Sequence, residues 1–336
     1  KALFVYAANP LASSPHQDRI HQGLQREDLF TVVMEHFQTD TADYADILLP
    51  ATMQTEHADL HDGYGHLYLS WNEPAVAPPG ECLSTTETFR QLARRMDLGE
   101  PSLYDSDERM ARQLLDSDHP SLKGIDLDRL RERGWMRLNY PDPFVPYENG
   151  FPTLSGKLEF YSARAAEDGH DPLAGYTPPL EVADRQLARS YPFSLVTGAS
   201  HYFLNTIFAN NHALIRRAGR PQVMMNPEDA QQRGLTPGQA VRVFNARGAF
   251  LAELEITEAV GRGVLASSKG PWLKFAGDTN INATVDERDA DMGGGSVYGD
   301  NRVDIHPHEI PSRDLQPAPD TTSHGAPEPL RTEGGR

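Results

Sequence analysis

The chain has 336 residues, of which 38% are hydrophobic and 24% are charged, and its formal net charge is −17 at pH 7. This composition is typical of a globular protein that is long enough for two domains. Nucleic-acid binding depends on clustered Lys and Arg that displace counterions, so the acidic balance argues against a nucleic-acid partner. No apolar run reaches the length of about 18 residues that a membrane-spanning helix needs, so no membrane span is predicted.

Cys82 is the single cysteine of the chain. It cannot form an internal disulfide, and one thiol alone cannot hold an iron–sulfur cluster or a structural zinc ion. The sequence starts at Lys1 and passes directly into the apolar run ALFVYAA. We therefore expect a C-terminal piece of a longer protein. The expected location is the cytoplasm, and any targeting signal is expected upstream of Lys1.

Three short apolar runs at the start of the chain, ALFVYAA, LFTVVM and ADILLPA, are bounded by polar residues or turn signals. Such runs are typical of parallel strands that are covered on both faces. STTETFRQLARRM predicts a helix capped by Ser84, with Phe89 and Ala93 on one face. Strands that alternate with helices predict an α/β layer over residues 1–100. Ligands of such sheets bind at the carboxyl ends of the strands, where Asn9 and residues 35–39 fall.

The pattern changes after this layer. Residues 101–190 combine a charged helical stretch with turn-rich sequence, which predicts a connecting and covering segment. From residue 191 onward, short strands separated by turn signals predict a small β-barrel that extends to residue 305, with an alternating strand in AFLAELEI. NPEDAQQRG predicts a short helix between capping Asn226 and Gly234. Residues 306–336 are rich in Pro, Gly and polar residues, and we predict a disordered tail.

Three histidines, His57, His61 and His66, lie close together in EHADLHDGYGH. Zinc peptidases use HExxH on a helix, in which Glu directly follows the first His. In this chain Glu56 precedes His57, and two glycines interrupt any helix, so neither a metal ligand nor a catalytic residue is predicted. A metal-dependent hydrolase that uses the three histidines is an alternative that metal analysis of the purified chain would test.

Polar residues that could bind a ligand follow several of the predicted strands. Glu35 could accept two hydrogen bonds from a guanine edge or a ribose diol, and Asn9 and Thr39 could reach phosphate or sugar. In LVTGASHYFLNT, Thr197 supplies a hydroxyl group, and Gly198 would let backbone N–H groups approach an anion closely. The alternative is that such groups only satisfy turns and helix caps.

Six stretches occur in the order that one protein family shows. They are TDTADYADILLPATMQTEH, FPTLSGKLEFYS, YPFSLVTGASHYFLN, NPEDAQQRGLTPGQAVRVFNARG, GDTNINAT and the NP that follows the first strand. Over residues 2–305 the chain resembles the molybdopterin oxidoreductases of the dimethyl-sulfoxide-reductase type, which include formate dehydrogenases and nitrate reductases. The resemblance implies a parallel α/β layer domain followed by a six-stranded double-psi β-barrel that binds molybdopterin dinucleotide.

In this family both domains clamp a bis(molybdopterin guanine dinucleotide) cofactor. Glu35 and Thr39 would face a nucleotide end, His57 stands where relatives carry Lys or His, and Thr85 lies near a position that is often Asp. No contact is assigned to Asp300, because relatives often carry Lys near that position. The complete set of cofactor-binding residues that the resemblance implies is Asn9, Glu35, Thr39, His57, Thr85, Thr197, Gly198, Ser200, His201, Asn205, Thr206 and Asn282.

The resemblance also implies what lies outside the chain. The ligand of the molybdenum or tungsten ion, and the cysteines of a [4Fe–4S] cluster where one is present, would lie upstream. The whole enzyme would move two electrons between a small-molecule substrate and an electron-transfer partner, and this chain would contribute cofactor binding together with the missing N-terminal half. The alternative is a redox-inactive scaffold subunit related to the large iron–sulfur subunit of respiratory complex I, which the sequence upstream of Lys1 would distinguish.

Overall fold

The computed structural model describes residues 1–309. The strands are β1 Ala2–Tyr6, β2 Phe30–Glu35, β3 Ile47–Pro50, β4 Asp59–His61, β5 Tyr68–Asn72, β6 Trp135–Arg137, β7 Phe193–Ala199, β8 Gln222–Met225, β9 Ala240–Phe244, β10 Ala249–Ile256, β11 Val264–Lys269 and β12 Arg302–Pro307. The α-helices are α1 Pro10–Ser13, α2 Gln17–Leu24, α3 Thr85–Arg95, α4 Asp107–Leu115, α5 Leu127–Arg133, α6 Ala163–Glu167, α7 Leu180–Ala183, α8 Leu187–Ser190, α9 His212–Ala218 and α10 Pro227–Arg233.

The chain forms two compact units whose segments interleave in sequence. The first unit contains Lys1–Ala8, Phe30–Gln38 and Ala45–Thr177. The second contains Asn9–Leu29, Thr39–Tyr44 and the chain from Pro178 onward. No helix within residues 1–309 is both long enough and apolar enough to cross a lipid bilayer.

A parallel sheet with the order β1-β2-β3 opens the first unit, as the three apolar runs predict. Val33 and Met34 of β2 are buried, and helix α3 places Phe89 against Phe4 with 5.3 Å between the ring centroids. The prediction that these strands are covered on both faces is wrong within the described residues. Phe30 is 49% exposed and Leu48 is 47% exposed, because their side chains project away from the buried core.

The first unit also holds an antiparallel sheet with the order β4-β5-β6. Its core joins Leu69 and Trp71 of β5 to Leu115, Leu127 and Leu130 of helices α4 and α5. These helices and strand β6 come from the segment predicted to connect and cover. Residue 100, the predicted end of the first domain, therefore lies inside this unit.

The second unit contains a closed six-stranded barrel with the order β10-β8-β11-β7-β12-β9. The alternation of Phe250, Ala252 and Leu254 is buried in its core, as predicted. Helix α10 is also confirmed, with Asn226 accepting a hydrogen bond from the N–H group of Glu228 and Gly234 in the left-handed region. The fold class, a parallel α/β layer followed by a double-psi β-barrel, is confirmed.

Two short segments near the start of the chain join the barrel unit. The buried carboxylate of Asp40 accepts hydrogen bonds from the backbone N–H groups of Leu273 and Lys274, both at 3.1 Å. Asn280 and Asn282 both donate from Nδ2 to the carbonyl oxygen of Ala12, at 2.9 and 2.8 Å. These bonds connect residues 9–29 and 39–44 to the loop that follows β11.

The first residues of the predicted disordered tail, His306 and Pro307, belong to a strand. Strand β12 continues through Pro307, because His306 and Pro307 pair with Arg242 and Val241 of β9. Residues 310–336 of the predicted tail lie outside the described residues.

Candidate functional site

Glu35 is the last residue of β2, at the carboxyl end of the parallel sheet in the first unit. Its side chain is 16% exposed, and Oε1 accepts a hydrogen bond of 2.8 Å from the N–H group of His36. The ring Nε2 of His36 lies 2.9 Å from the carbonyl oxygen of Thr52, whose hydroxyl lies 2.9 Å from Nδ1 of His57. Two predicted residues, Glu35 and His57, are therefore connected through His36 and Thr52.

A cavity of about 420 Å³ in the first unit brings His57 and Thr85 together. One wall is the N-terminus of helix α3, where Ser84 accepts a hydrogen bond from the N–H group of Glu87. The first N–H groups of a helix have no partner within the helix, so this end can donate to an anion or to a carbonyl oxygen of a ligand. Asp107 also lines the cavity, and its carboxylate would favour a donor group on the ligand.

In the second unit, the predicted barrel residues cluster at the carboxyl ends of β7 and β11. These strands are parallel neighbours, and their register pairs Thr197 with Ser267, Gly198 with Ser268, and Ala199 with Lys269. Gly198 is exposed, and a Cβ atom added to it would meet no atom within 4 Å. The end of this strand pair is therefore an open surface of small residues and hydroxyl groups.

The loop after β7 carries four more predicted residues, which are Ser200, His201, Asn205 and Thr206. His201 packs edge-on against Tyr202, and Ser200 accepts a hydrogen bond from the N–H group of Tyr202 at 3.1 Å. Asn205 and Thr206 form a tight turn, in which Asn205 has φ +54° and Thr206 accepts a hydrogen bond of 2.8 Å from the indole of Trp272. The turn presents the exposed amide of Asn205 to solvent.

In the loop after β11, Gly270 lies close to the backbone of this turn. Its φ of +126° is a conformation that residues with side chains rarely adopt. A Cβ atom there would lie 2.4 Å from the carbonyl oxygen of Asn205. Gly270 therefore fixes the position of one loop against the other.

Asn9, Thr39 and Asn282 are buried in the second unit. Asn9 donates to Asp40 at 3.3 Å and accepts from the hydroxyl of Thr41 at 2.8 Å, and Thr39 accepts from the N–H group of Ala42 at 3.2 Å. In this structure both side chains thus bond to protein groups. Asn282 differs, because its buried Oδ1 has no hydrogen-bond partner within the described residues. A buried acceptor without a donor is costly unless a ligand supplies one.

Two family models match the chain in the same order as its two folded parts. The model described as molybdopterin oxidoreductase matches residues 1–95, and the one described as Molydopterin dinucleotide binding domain matches residues 193–309.

The chain belongs to the molybdopterin oxidoreductase family.

Curated relatives extend the similarity over most of the chain. It is 41% identical over 310 residues to the probable oxidoreductase YoaE of Bacillus subtilis, covering 91% of this chain and 44% of YoaE. It is 30% identical over 346 residues to the probable dimethyl sulfoxide reductase chain YnfF of Escherichia coli, covering 91% of this chain and 42% of YnfF. The chain therefore spans less than half the length of these relatives.

A solved structure has the same fold. Acetylene hydratase from Pelobacter acetylenicus superimposes with a TM-score of 0.75 at 25% identity, covering 92% of this chain and 44% of that one. The family resemblance drawn from the sequence motifs is therefore confirmed. Within residues 1–309, no group of three or more His, Cys, Asp or Glu side chains could hold a metal ion, so the alternative hydrolase has no formed metal site there.

The sequence did not indicate a charged cluster in the barrel unit of this molybdopterin oxidoreductase, which consists of Glu181, Arg247, Arg288 and Asp300. Glu181, with 8% of its side chain exposed, forms a bidentate pair with Arg247 at 2.6 and 3.1 Å. Asp300 accepts hydrogen bonds from the N–H groups of Glu181 and Val182 at 2.9 and 3.2 Å, and pairs with Arg288 at 3.3 Å. Asp300 thus holds helix α7 against the barrel, which gives it a structural role.

The same cluster is hydrogen-bonded to the segment that carries Asn282. Arg247 donates from Nε to the carbonyl oxygen of Thr284 at 2.8 Å, and Asn301 donates to the hydroxyl of Thr284 at 2.8 Å. Burial alone would raise the pKa of Asp286, but a hydrogen bond from the backbone of Arg288 and the charge of that residue hold its pKa below the ordinary value. The cluster was missed because its members are far apart in sequence and match no local motif.

Proposed function

We propose that this chain is the cofactor-binding C-terminal part of an oxidoreductase that holds bis(molybdopterin guanine dinucleotide) with molybdenum or tungsten. The observation that carries the proposal is the open end of strands β7 and β11, within the stretch that matches the dinucleotide-binding model. When bound, such a cofactor supplies a metal centre that exchanges two electrons with a substrate. The residues of this chain would bind and orient its nucleotide and pterin parts.

The residues present fit such a cofactor at two points of the barrel unit. A Cβ atom added to Gly198 would meet no atom of residues 1–309 within 4 Å apart from its chain neighbours, so a phosphate group could approach the backbone of β7 directly. The buried Oδ1 of Asn282 has no donor in residues 1–309, and the N–H groups of a pterin ring would supply one. In the first unit, Glu35 and the cavity beside His57 and Thr85 offer acceptors and donors suited to a guanine and its ribose.

The reaction class that we propose is formate oxidation or nitrate reduction. Formate oxidation is supported by a relative at 27% identity, the F420-dependent formate dehydrogenase subunit alpha of Methanocaldococcus jannaschii. Another relative, at 29% identity, is the acetylene hydratase of Syntrophotalea acetylenica. The metal ligand, a possible [4Fe–4S] cluster and the electron-transfer partner would belong to the rest of the enzyme, which we place in the cytoplasm.

Metal and guanine nucleotide analysis of the full-length enzyme, followed by formate and nitrate assays, tests the proposal.

Substituting Glu35 by Gln is expected to weaken cofactor binding by about 1.5–3 kcal/mol, the scale for hydrogen bonds to charged groups. A carboxylate can accept hydrogen bonds from guanine N1–H and N2–H₂ together, whereas the Gln side chain keeps the shape but places an NH₂ group against a donor. The measurement is the molybdenum and guanine nucleotide content per chain of the purified full-length variant.

Glu81→Gln is the matched control, because Glu81 is exposed and lies in the same unit. It should keep the wild-type cofactor content, and the cofactor-free forms of both variants should melt at the wild-type temperature. Full occupancy and unchanged affinity in Glu35→Gln would remove Glu35 from the site. Wild-type enzyme without molybdenum, tungsten or guanine nucleotide would contradict the proposed function and favour a redox-inactive scaffold.

A further inference from the structure

Lys269 is the last residue of β11 and pairs in register with Ala199, the last residue of β7. Its side chain is partly buried, and Nζ lies 5.4 Å from the centroid of the Tyr298 ring. Tyr298 is itself held in place, because its hydroxyl donates to the carbonyl oxygen of Ser13 at 2.7 Å and its own carbonyl oxygen accepts from Thr197 at 3.5 Å. The ammonium group is therefore positioned by a fixed aromatic surface.

Within residues 1–309, the charge of Lys269 is not matched by a carboxylate. Among residues 1–309, none of the ion pairs within 4.0 Å involves its Nζ, although the chain carries a net charge of −17. Lys274 provides the contrast within the same unit. Its Nζ also lies over an aromatic ring, 5.7 Å from the centroid of Trp272, but it pairs with Asp43 at 2.6 Å.

The groups around Lys269 favour an anion. Gly198 and Ser268 stand opposite each other one residue before the strand ends, and both are exposed. The hydroxyl group of Ser268 can donate a hydrogen bond, and Gly198 leaves the backbone of β7 open to a ligand. A partly desolvated ammonium group, a hydroxyl donor and an open backbone at the ends of two neighbouring strands can together bind phosphate.

We infer that Lys269 binds the pyrophosphate of a dinucleotide at the carboxyl ends of β7 and β11. The inference rests on the proposed function, and it adds a residue that the family motifs in the sequence did not indicate. The ring of Tyr298 holds the ammonium group at the ends of the two strands, where Lys269 pairs with Ala199. Lys269 thus binds the pyrophosphate of the cofactor and takes no part in electron transfer.

The test compares Lys269→Met with Lys274→Met in the full-length enzyme. Both variants lose a cation that lies over an aromatic ring, but only Lys269→Met removes a charge that has no ion-pair partner among residues 1–309. We measure the guanine nucleotide content per chain, and the affinity of the cofactor-free enzyme for inorganic pyrophosphate by calorimetry. Lys269→Met is expected to weaken pyrophosphate binding about ten- to a hundredfold and to lower nucleotide content. Lys269→Arg should retain most of both.

Lys274→Met should keep wild-type nucleotide content and pyrophosphate affinity, and thermal midpoints of the cofactor-free forms should show that both variants fold. If wild-type enzyme carries guanine nucleotide and Lys269→Met carries the same amount with equal pyrophosphate affinity, the inference is overturned while the proposed function stands. If wild-type enzyme carries no guanine nucleotide, the proposed function fails first, and the inference fails with it.

Discussion

Glu181→Gln is expected to lower the free energy of unfolding by about 3 kcal/mol, because it leaves the guanidinium group of Arg247 in a partly buried site without its bidentate partner. Both oxygens of Glu181 face Arg247, and Oε2 also accepts a hydrogen bond of 2.9 Å from the N–H group of Arg302. Asp286 remains within 3.5 Å of Arg247, which keeps the loss at the lower end of the range for broken buried pairs.

The measurement is the denaturant dependence of unfolding, with Glu258→Gln as the control. Glu258 is exposed and has no ion pair within residues 1–309, so the same substitution there should change stability by less than about 0.5 kcal/mol. Equal unfolding midpoints for the two variants would show that the Glu181–Arg247 pair contributes nothing to stability.

Gly270→Ala is expected to destabilise the protein by about 3 kcal/mol and to displace the loops at the end of the barrel. A φ of +126° costs a residue with a side chain about 1–3 kcal/mol. The added Cβ atom would also lie 2.4 Å from the carbonyl oxygen of Asn205, so one of the two loops must move. Thermal unfolding of the cofactor-free protein measures the loss of stability.

Gly198→Ala is the matched variant. Gly270→Ala should reduce the stability of the fold, whereas Gly198→Ala should reduce cofactor binding alone. Gly198 does not have a positive φ, and its added Cβ would meet no protein atom within 4 Å. We therefore expect wild-type stability together with reduced guanine nucleotide content, since the methyl group would occupy space proposed for a phosphate. A stable Gly270→Ala protein with normal cofactor content would contradict the argument that Gly270 fixes these loops.

The sequence by itself predicted the elements whose signals are local. The apolar runs that form β1, β2 and β3 and the alternation in β10 are periodic patterns, and their strands form as predicted. Ser84 and Asn226 cap their helices as predicted, because a cap involves only backbone groups within three residues. The family motifs extended these local predictions to the barrel and to molybdopterin dinucleotide binding.

Only the tertiary structure decided how these parts are connected and what each polar residue bonds to. Asp40 meets Leu273 across 233 residues of sequence, and Glu181 meets Asp300 across 119. No periodicity or cap reports such a pair, because its hydrogen bonds form only when distant segments fold together. For the same reason Asn9 and Asn282, which are equally polar in sequence, differ in the structure. The side-chain oxygen of Asn9 is satisfied by Thr41, whereas that of Asn282 has no partner within residues 1–309.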